Sequence, residues 1–259
     1  MTTRAKCCYT HLIRKDRAWR EADYSIKKFV DAIKGRPIRD YAHLRVLPDE
    51  PLRQLEQANA GEAFEWFGEM AAELIRDEGL ARPVLIPFPD SKCSVSSVEP
   101  PRTLRLATAV ERYLGATVAD LIRFSRGCRS AHAEGGTREP AEIYGHLRLI
   151  GPFERGRPYV LIDDVLASGG HARAAVAFLR AHDADVRLVV CAVSAESEPA
   201  THPFGRVDRT LSEFDPRSVR THSTNPAVDL VLEPGHGIAR DLPVLGELAS
   251  LLQSPNGGP

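Results

Sequence analysis

Two adjacent carboxylates, Asp163 and Asp164, interrupt an apolar run that reads YVLIDDVL over residues 159–166. A turn of small residues (ASGG, 167–170) follows, and a helical pattern begins directly after it. Carboxylates at a strand end can accept hydrogen bonds from a vicinal diol, or bind Mg²⁺ directly or through water. Small side chains let backbone N–H groups approach a phosphate, and the N-terminus of the next helix adds donors and a favourable dipole. This order of residue types predicts a pocket for a ribose 5-phosphate.

The segment IDDVLASGGH (162–171) resembles the phosphoribosyl-pyrophosphate (PRPP) binding motif of the type I phosphoribosyltransferases. It is especially similar to the form found in adenine phosphoribosyltransferases. The resemblance implies that Asp163 and Asp164 hold the ribose hydroxyls of PRPP, and Mg²⁺ through the ligand or water. It assigns the 5-phosphate to the five residues that follow, Ala167, Ser168, Gly169, Gly170 and His171.

Two further segments take roles from the same resemblance. The loop PFPDSK (87–92) stands at the position of the family's pyrophosphate loop. Its candidate pyrophosphate contacts are Asp90, Ser91 and Lys92. The long polar segment 125–148, rich in Gly and Arg, stands where the family has a hood loop that closes over the reaction. Its candidate contacts are Arg126, Arg129 and Arg138, because a guanidinium group matches phosphate bidentately.

The motif departs from the family pattern at several positions. His171 stands where the family usually has Thr or Ser, so an imidazole replaces one hydroxyl. Ala167 stands where hypoxanthine-type enzymes carry an aspartate, which disfavours that subclass. The loop 87–92 lacks an arginine and a Gly-rich turn. The PFP sequence and two predicted helices, 24–34 and 62–78, are loosely similar to the ComF branch of the family.

The reaction that the resemblance implies is a glycosyl transfer with Mg²⁺ as cofactor. Pyrophosphate would leave the anomeric carbon of PRPP, and a small-molecule base would attack it through nitrogen. Neither the acceptor base nor a general base can be named from the residues. Two alternatives stay open: a non-catalytic regulator that binds PRPP or a nucleotide, and a ComF-like accessory protein in nucleic-acid metabolism. PRPP turnover would favour the enzyme, and salt-dependent nucleic-acid affinity would favour the alternatives.

The elements that must position this site alternate along the chain. Periodicity predicts strands at 82–88, 116–124, 158–165 and 186–193, and further helices at 102–114 and 170–181. Such alternation favours an α/β fold, a mostly parallel sheet flanked by helices with ligands at the carboxyl ends of its strands. We expect a partly helical N-terminal extension (1–61), a phosphoribosyltransferase-like domain (62–252) with the hood at 125–148, and a disordered tail (253–259).

Composition restricts the remaining functional classes. The 259 residues carry 34 Lys and Arg against 35 Asp and Glu, so net charge does not support binding to nucleic acid or a membrane. Residues 1–58 are locally basic, which suits a solvated helix face or, alternatively, contact with an anionic partner. Five cysteines without a CxxC pair argue against a disulfide framework or structural zinc site. No apolar run approaches the roughly 20 residues of a membrane span. We expect a cytoplasmic protein, with a homodimer possible.

Overall fold

The computed structural model describes residues 2–126 and 139–219 of the chain. The strands in this part are β1 (Thr3–Leu12), β2 (Ala42–Leu44), β3 (Arg53–Leu55), β4 (Val84–Pro87), β5 (Thr117–Val118), β6 (Ile122–Phe124), β7 (Leu147–Leu149), β8 (Pro158–Leu166), β9 (Asp185–Glu196) and β10 (Val207–Leu211). The α-helices are α1 (Glu21–Ile33), α2 (Glu62–Arg76), α3 (Thr103–Leu114), α4 (Pro140–His146) and α5 (Gly170–Ala181).

A six-stranded sheet in the order β10-β1-β9-β8-β4-β5 forms the centre of the described part. All neighbouring strands in it are parallel except the β1–β10 pair, which is antiparallel. The central strands β8 and β9 are largely apolar because helices cover both faces of the sheet. The carboxyl ends of β4 and β8 are therefore adjacent at one edge of the sheet. The predicted α/β fold with a mostly parallel sheet is confirmed.

Two hydrophobic clusters occupy the two faces of this sheet. One packs α1, α2 and α3 against alternate strand residues such as Val160 and Ile162 of β8. The other packs α4 and α5 against the intervening residues, among them Tyr159 and Leu161. Side chains of successive strand residues point to opposite faces, so each β8 position is assigned to one cluster or the other. The alternation also determines where the two motif aspartates point.

The N-terminal segment is more deeply integrated than the sequence analysis expects. Residues 1–61 were predicted as an extension, yet β1 lies inside the sheet between β9 and β10. Residues of α1 that include Phe29 and Ile33 are fully buried in the first cluster. The central sheet therefore includes residues from before position 62, because β1 is its second strand from one edge.

The segment 116–124 also differs from the prediction, because it forms two short strands instead of one. β5 pairs with β4 in the central sheet, whereas β6 pairs with β7 in a separate antiparallel ladder. Between them Asp120 forms an ion pair with the buried Arg123, which stabilises the turn where the chain leaves the sheet. Within the predicted hood segment 125–148, the last residues form α4 and the start of β7 rather than loop.

No helix in the described ranges is long and apolar enough to cross a membrane.

Candidate functional site

A cleft of about 300 Å³ opens at the carboxyl ends of β4 and β8. It is lined by the motif 163–172, by the loop 88–92, by Lys34 and Arg36 after α1, and by parts of α3 and α4. The backbone N–H of Phe88 donates to the Ile162 carbonyl at 2.9 Å, so the loop after β4 begins in register with the motif strand. The predicted phosphate turn and the predicted pyrophosphate loop thus share one cleft.

The phosphate turn has a backbone shape that requires glycine at one position. Gly169 has a φ of 79°, in the left-handed region that a side chain would strain. A Cβ there would also come within 3.1 Å of Leu211. The helix α5 begins at Gly170, so its first backbone N–H groups are at the cleft. All five residues that the resemblance assigns to the 5-phosphate line the cleft: Ala167, Ser168, Gly169, Gly170 and His171.

The two motif aspartates lie within β8 and leave the strand on opposite sides. Asp163 lies two residues after Leu161 and therefore on the face of the second cluster. Asp164 lies two residues after Ile162 and therefore on the face of the first. Both are only 9% exposed, and both line the cleft. Burial, with the negative charge of Asp164 next to it, raises the pKa of Asp163 well above its ordinary value. The Asp164 backbone N–H donates to Asp163 Oδ1 at 2.8 Å and holds that carboxyl in place.

Two cations that the sequence analysis missed converge on Asp164. An N–H of Arg102, just before α3, donates to Asp164 Oδ2 at 2.8 Å. Lys34, at the carboxyl end of α1, places Nζ 3.8 Å from the same oxygen. Neither residue belongs to a motif, and each comes from a different helix of the first face. No local sequence signal could have found them, because only the packing of α1 and α3 against β8 brings them together.

The predicted pyrophosphate loop is held by its own aspartate. Asp90 accepts the backbone N–H of Lys92 at 3.0 Å with Oδ1 and that of Arg102 at 3.1 Å with Oδ2. Both carboxylate oxygens therefore shape the loop and tie it to the start of α3. Ser91 and Lys92 line the cleft and remain the loop's candidate contacts for an anion.

His171 stacks on the aromatic ring of Phe88. The two ring centroids lie 5.3 Å apart and the planes are within 13° of parallel. Phe88 is buried, and its carbonyl accepts the Thr103 hydroxyl at 2.5 Å. The imidazole that replaces the family's hydroxyl is therefore placed against a rigid support between the phosphate turn and the pyrophosphate loop.

The base of the predicted hood lies beside the cleft. The Ser125 N–H donates to the His146 carbonyl at 2.7 Å, extending the β6–β7 ladder. Ile143 and His146 of α4 line the cleft, and burial lowers the pKa of His146, with the charges of Arg126 and Arg148 acting in the same direction. Arg126 is exposed at the end of the described segment. Arg129 and Arg138 lie outside the described residues, as do the predicted tail and the end of the predicted domain.

The donor set of the cleft fits Mg²⁺ shared with a substrate. Mg²⁺ commonly takes one or two carboxylates together with substrate oxygens and water. Asp163 and Asp164 provide two carboxyl groups on the cleft wall. No group of three His, Cys, Asp or Glu residues in the described ranges could hold an ion alone. The residues therefore suit an ion that arrives with a phosphorylated ligand.

The comparison with curated proteins gives a partial match. The chain is 42% identical over 71 residues to an orotate phosphoribosyltransferase of Nocardioides sp.. The match spans 27% of this chain and 39% of the relative, so well under half of that relative's length is covered. No family model matches the chain.

Solved structures give weaker likenesses. An adenine phosphoribosyltransferase from Trypanosoma brucei, solved with AMP, pyrophosphate and ribose-5-phosphate, is 17% identical, with a TM-score of 0.36 over 65% of this chain and 78% of its own. The Leishmania donovani enzyme is 14% identical, with a TM-score of 0.35 over 76% of this chain and 92% of its own. At such low scores, these structures contribute nothing to the functional assignment.

The motif and the curated match agree with each other. The segment 162–171 carries the predicted resemblance, and a phosphoribosyltransferase matches at 42% identity over 71 residues. The predicted resemblance is thus confirmed, and the chain is similar to the type I phosphoribosyltransferases.

Proposed function

We propose that the chain is a phosphoribosyltransferase that uses PRPP and Mg²⁺ to transfer ribose 5-phosphate to a nitrogenous base, releasing pyrophosphate. The observation that carries the proposal is the shared cleft. Two buried carboxyl groups lie next to a phosphate turn, and the loop after β4 lies alongside. That combination suits a ligand with a vicinal diol and phosphate groups on either side of it. The curated match to a phosphoribosyltransferase supports the same class.

In this function the cleft residues bind and orient the sugar. The turn 167–171 and the start of α5 would hold the 5-phosphate through backbone N–H groups. Asp163 and Asp164 would accept hydrogen bonds from the ribose hydroxyls and present the anomeric carbon to the acceptor. Lys92 would contribute charge toward the pyrophosphate. When bound, Mg²⁺ would neutralise charge on the leaving pyrophosphate. Two apolar side chains that line the cleft, Phe124 and Ile143, would limit access of water to the reacting carbon.

The first test is thermal unfolding with PRPP and Mg²⁺. Ligand at 100 times its dissociation constant should stabilise the chain by about 2.7 kcal/mol, a shift of roughly 5–10 °C for this size. The double variant Asp163→Asn/Asp164→Asn should lose the shift. The matched control Asp16→Asn/Asp208→Asn removes two carboxylates outside the cleft and should keep it. A folded wild type that shows no shift would contradict the pocket.

The second half of the test is turnover. Pyrophosphate release should appear with one member of a panel of bases that includes adenine and orotate. PRPP binding without release for any base would contradict the enzyme and support the non-catalytic regulator. A cytoplasmic location, a homodimer and contact with nucleic acid remain predictions from the sequence.

A further inference from the structure

Lys34 and Arg102 are the strongest feature of the cleft that the motif does not explain. They come from α1 and α3, and both reach one oxygen of Asp164, at 3.8 and 2.8 Å. The Lys34 side chain is only 13% exposed, so its charge is directed into the cleft rather than toward bulk water. Two cations on one carboxylate leave a local excess of positive charge at this wall.

The Arg102 guanidinium is only partly satisfied in this arrangement. Its Nη2 group donates a hydrogen bond to Asp164. Its Nε–H group is buried and has no acceptor among the described residues. A buried donor without an acceptor costs about 1–3 kcal/mol. A ligand with several anionic oxygens can satisfy more of a guanidinium group than one carboxylate oxygen does.

The pyrophosphate loop itself is poor in cations. Lys92 is its one basic residue, and both oxygens of Asp90 are engaged by backbone N–H groups of Lys92 and Arg102. Asp90 thereby fixes the backbone of Arg102 to the loop. The guanidinium is thus held at the border between the loop and the motif strand, where the anionic end of a phosphoribosyl substrate would approach.

We propose that Lys34 and Arg102 form an anion subsite in which the Asp164 carboxylate and a pyrophosphate group compete for the same two cations. The inference rests on the proposed function and adds residues to its substrate site. Binding of the substrate exchanges partners: the cations engage pyrophosphate, and the Asp164 carboxylate becomes available to the ribose hydroxyls. The N-terminal segment thereby contributes a substrate-binding residue to the cleft.

Calorimetric titration with inorganic pyrophosphate, without a divalent cation, tests the two cations. We expect Lys34→Met and Arg102→Met each to weaken pyrophosphate binding about tenfold. The matched controls Lys28→Met on α1 and Arg112→Met on α3 remove the same charges outside the cleft and should change affinity less than twofold. Equal losses in variants and controls would overturn the subsite. Urea unfolding of each variant identifies any that fails to fold.

The competition is tested by the two aspartates. Asp164→Asn removes the competing carboxylate and should strengthen pyrophosphate binding about fivefold or more. Asp163→Asn changes the adjacent carboxyl group, which lies on the other side of the strand, and should have a clearly smaller effect. Equal gains in the two variants would mean a general field effect and would overturn the exchange.

Ribose 5-phosphate separates this inference from the proposed function. The ligand has the diol and the 5-phosphate but no pyrophosphate, so Lys34→Met should leave its affinity within about twofold. If ribose 5-phosphate binds and pyrophosphate does not, the subsite is wrong and the proposed pocket stands. If pyrophosphate binds through Lys34 and ribose 5-phosphate does not bind, the proposed function is wrong and the anion subsite stands.

Discussion

Asp163 is a carboxyl group that the fold buries at a cost in stability. It is 9% exposed, and its neighbour along the strand is a second carboxyl group. Burial and that neighbour raise its pKa, and the nearby charges of Lys34 and Arg102 offset the effect only in part. The folded chain therefore keeps a proton on Asp163 at pH values where the unfolded chain has released it. Above the unfolded pKa of about 3.9, this carboxyl group lowers the free energy of unfolding.

Asp163→Asn should therefore stabilise the chain at neutral pH. The amide does not ionise, so unfolding no longer releases a proton at this position, and its oxygen can still accept the Asp164 N–H. We expect a gain of about 1 kcal/mol in the free energy of unfolding at pH 7–8, measured by urea unfolding. The gain should shrink as the pH falls through about 3.9 and below, where both states of the wild type become protonated. A variant less stable than the wild type at pH 7–8 would contradict the stability cost that we assign to the Asp163 carboxyl group.

At the scale of elements, the contact between α2 and α3 depends on one glycine. A Cβ at Gly68 would lie 2.6 Å from the backbone carbonyl atoms of Ala109 and 3.0 Å from its Cβ. Helices can approach this closely only where one of them has no side chain. The α2–α3 pair supports the first cluster, and Arg102 of the cleft directly precedes α3. The helix packing at Gly68 therefore helps to position Arg102, which we propose as part of the site.

Gly68→Ala should destabilise the chain although alanine is the better helix former. Relief of the clash requires a backbone shift, since the nearest atoms belong to the α3 main chain. We expect a net loss of about 1–3 kcal/mol by urea unfolding, after the gain in helix propensity. Gly145→Ala in α4 has no atom within 4 Å of its Cβ and serves as the matched control, expected to be neutral or slightly stabilising. Equal effects of the two changes would disprove the close-approach argument.

At the scale of the whole molecule, the N-terminal segment completes the sheet. β1 pairs with β9 on one side and with β10 on the other. Its charged residues are satisfied from distant parts of the chain, since Lys6 Nζ lies 2.5 Å from Glu78 and Arg4 pairs with Asp208. Removal of β1 would separate β10 from the sheet and expose the edge of β9.

Deletion of residues 2–12 should abolish cooperative folding. The truncated chain would expose fully buried side chains of β9, among them Val189, Val190 and Cys191. We expect loss of the cooperative thermal transition and increased aggregation, measured by circular dichroism and gel filtration. A truncated chain that unfolds cooperatively and still binds PRPP would show that the fold and the cleft do not need β1.

Local sequence patterns were sufficient to predict the positions of the strands and helices around the motif. The apolar runs at β4, β8 and β9 and the helical periods of α2, α3 and α5 repeat within short windows, so their positions agree with prediction to within a few residues. β1 escaped the same reasoning because Arg4, Lys6 and Thr10 interrupt its apolar residues. Two of these three are buried, and Lys6 is tolerated there because an acid from elsewhere pairs with it.

The sequence by itself determined the fold class, the motif strand, the phosphate turn and the family resemblance, because each depends on residues that are neighbours in the chain. Tertiary structure decided the position of β1 in the sheet, the close approach at Gly68 and the convergence of Lys34 and Arg102 on Asp164. These features depend on which faces of separate helices and strands meet. Side-chain periodicity specifies that a face is buried but does not specify its partner. The lysine that follows α1 and the arginine that precedes α3 could therefore be assigned to one cleft only from the folded structure.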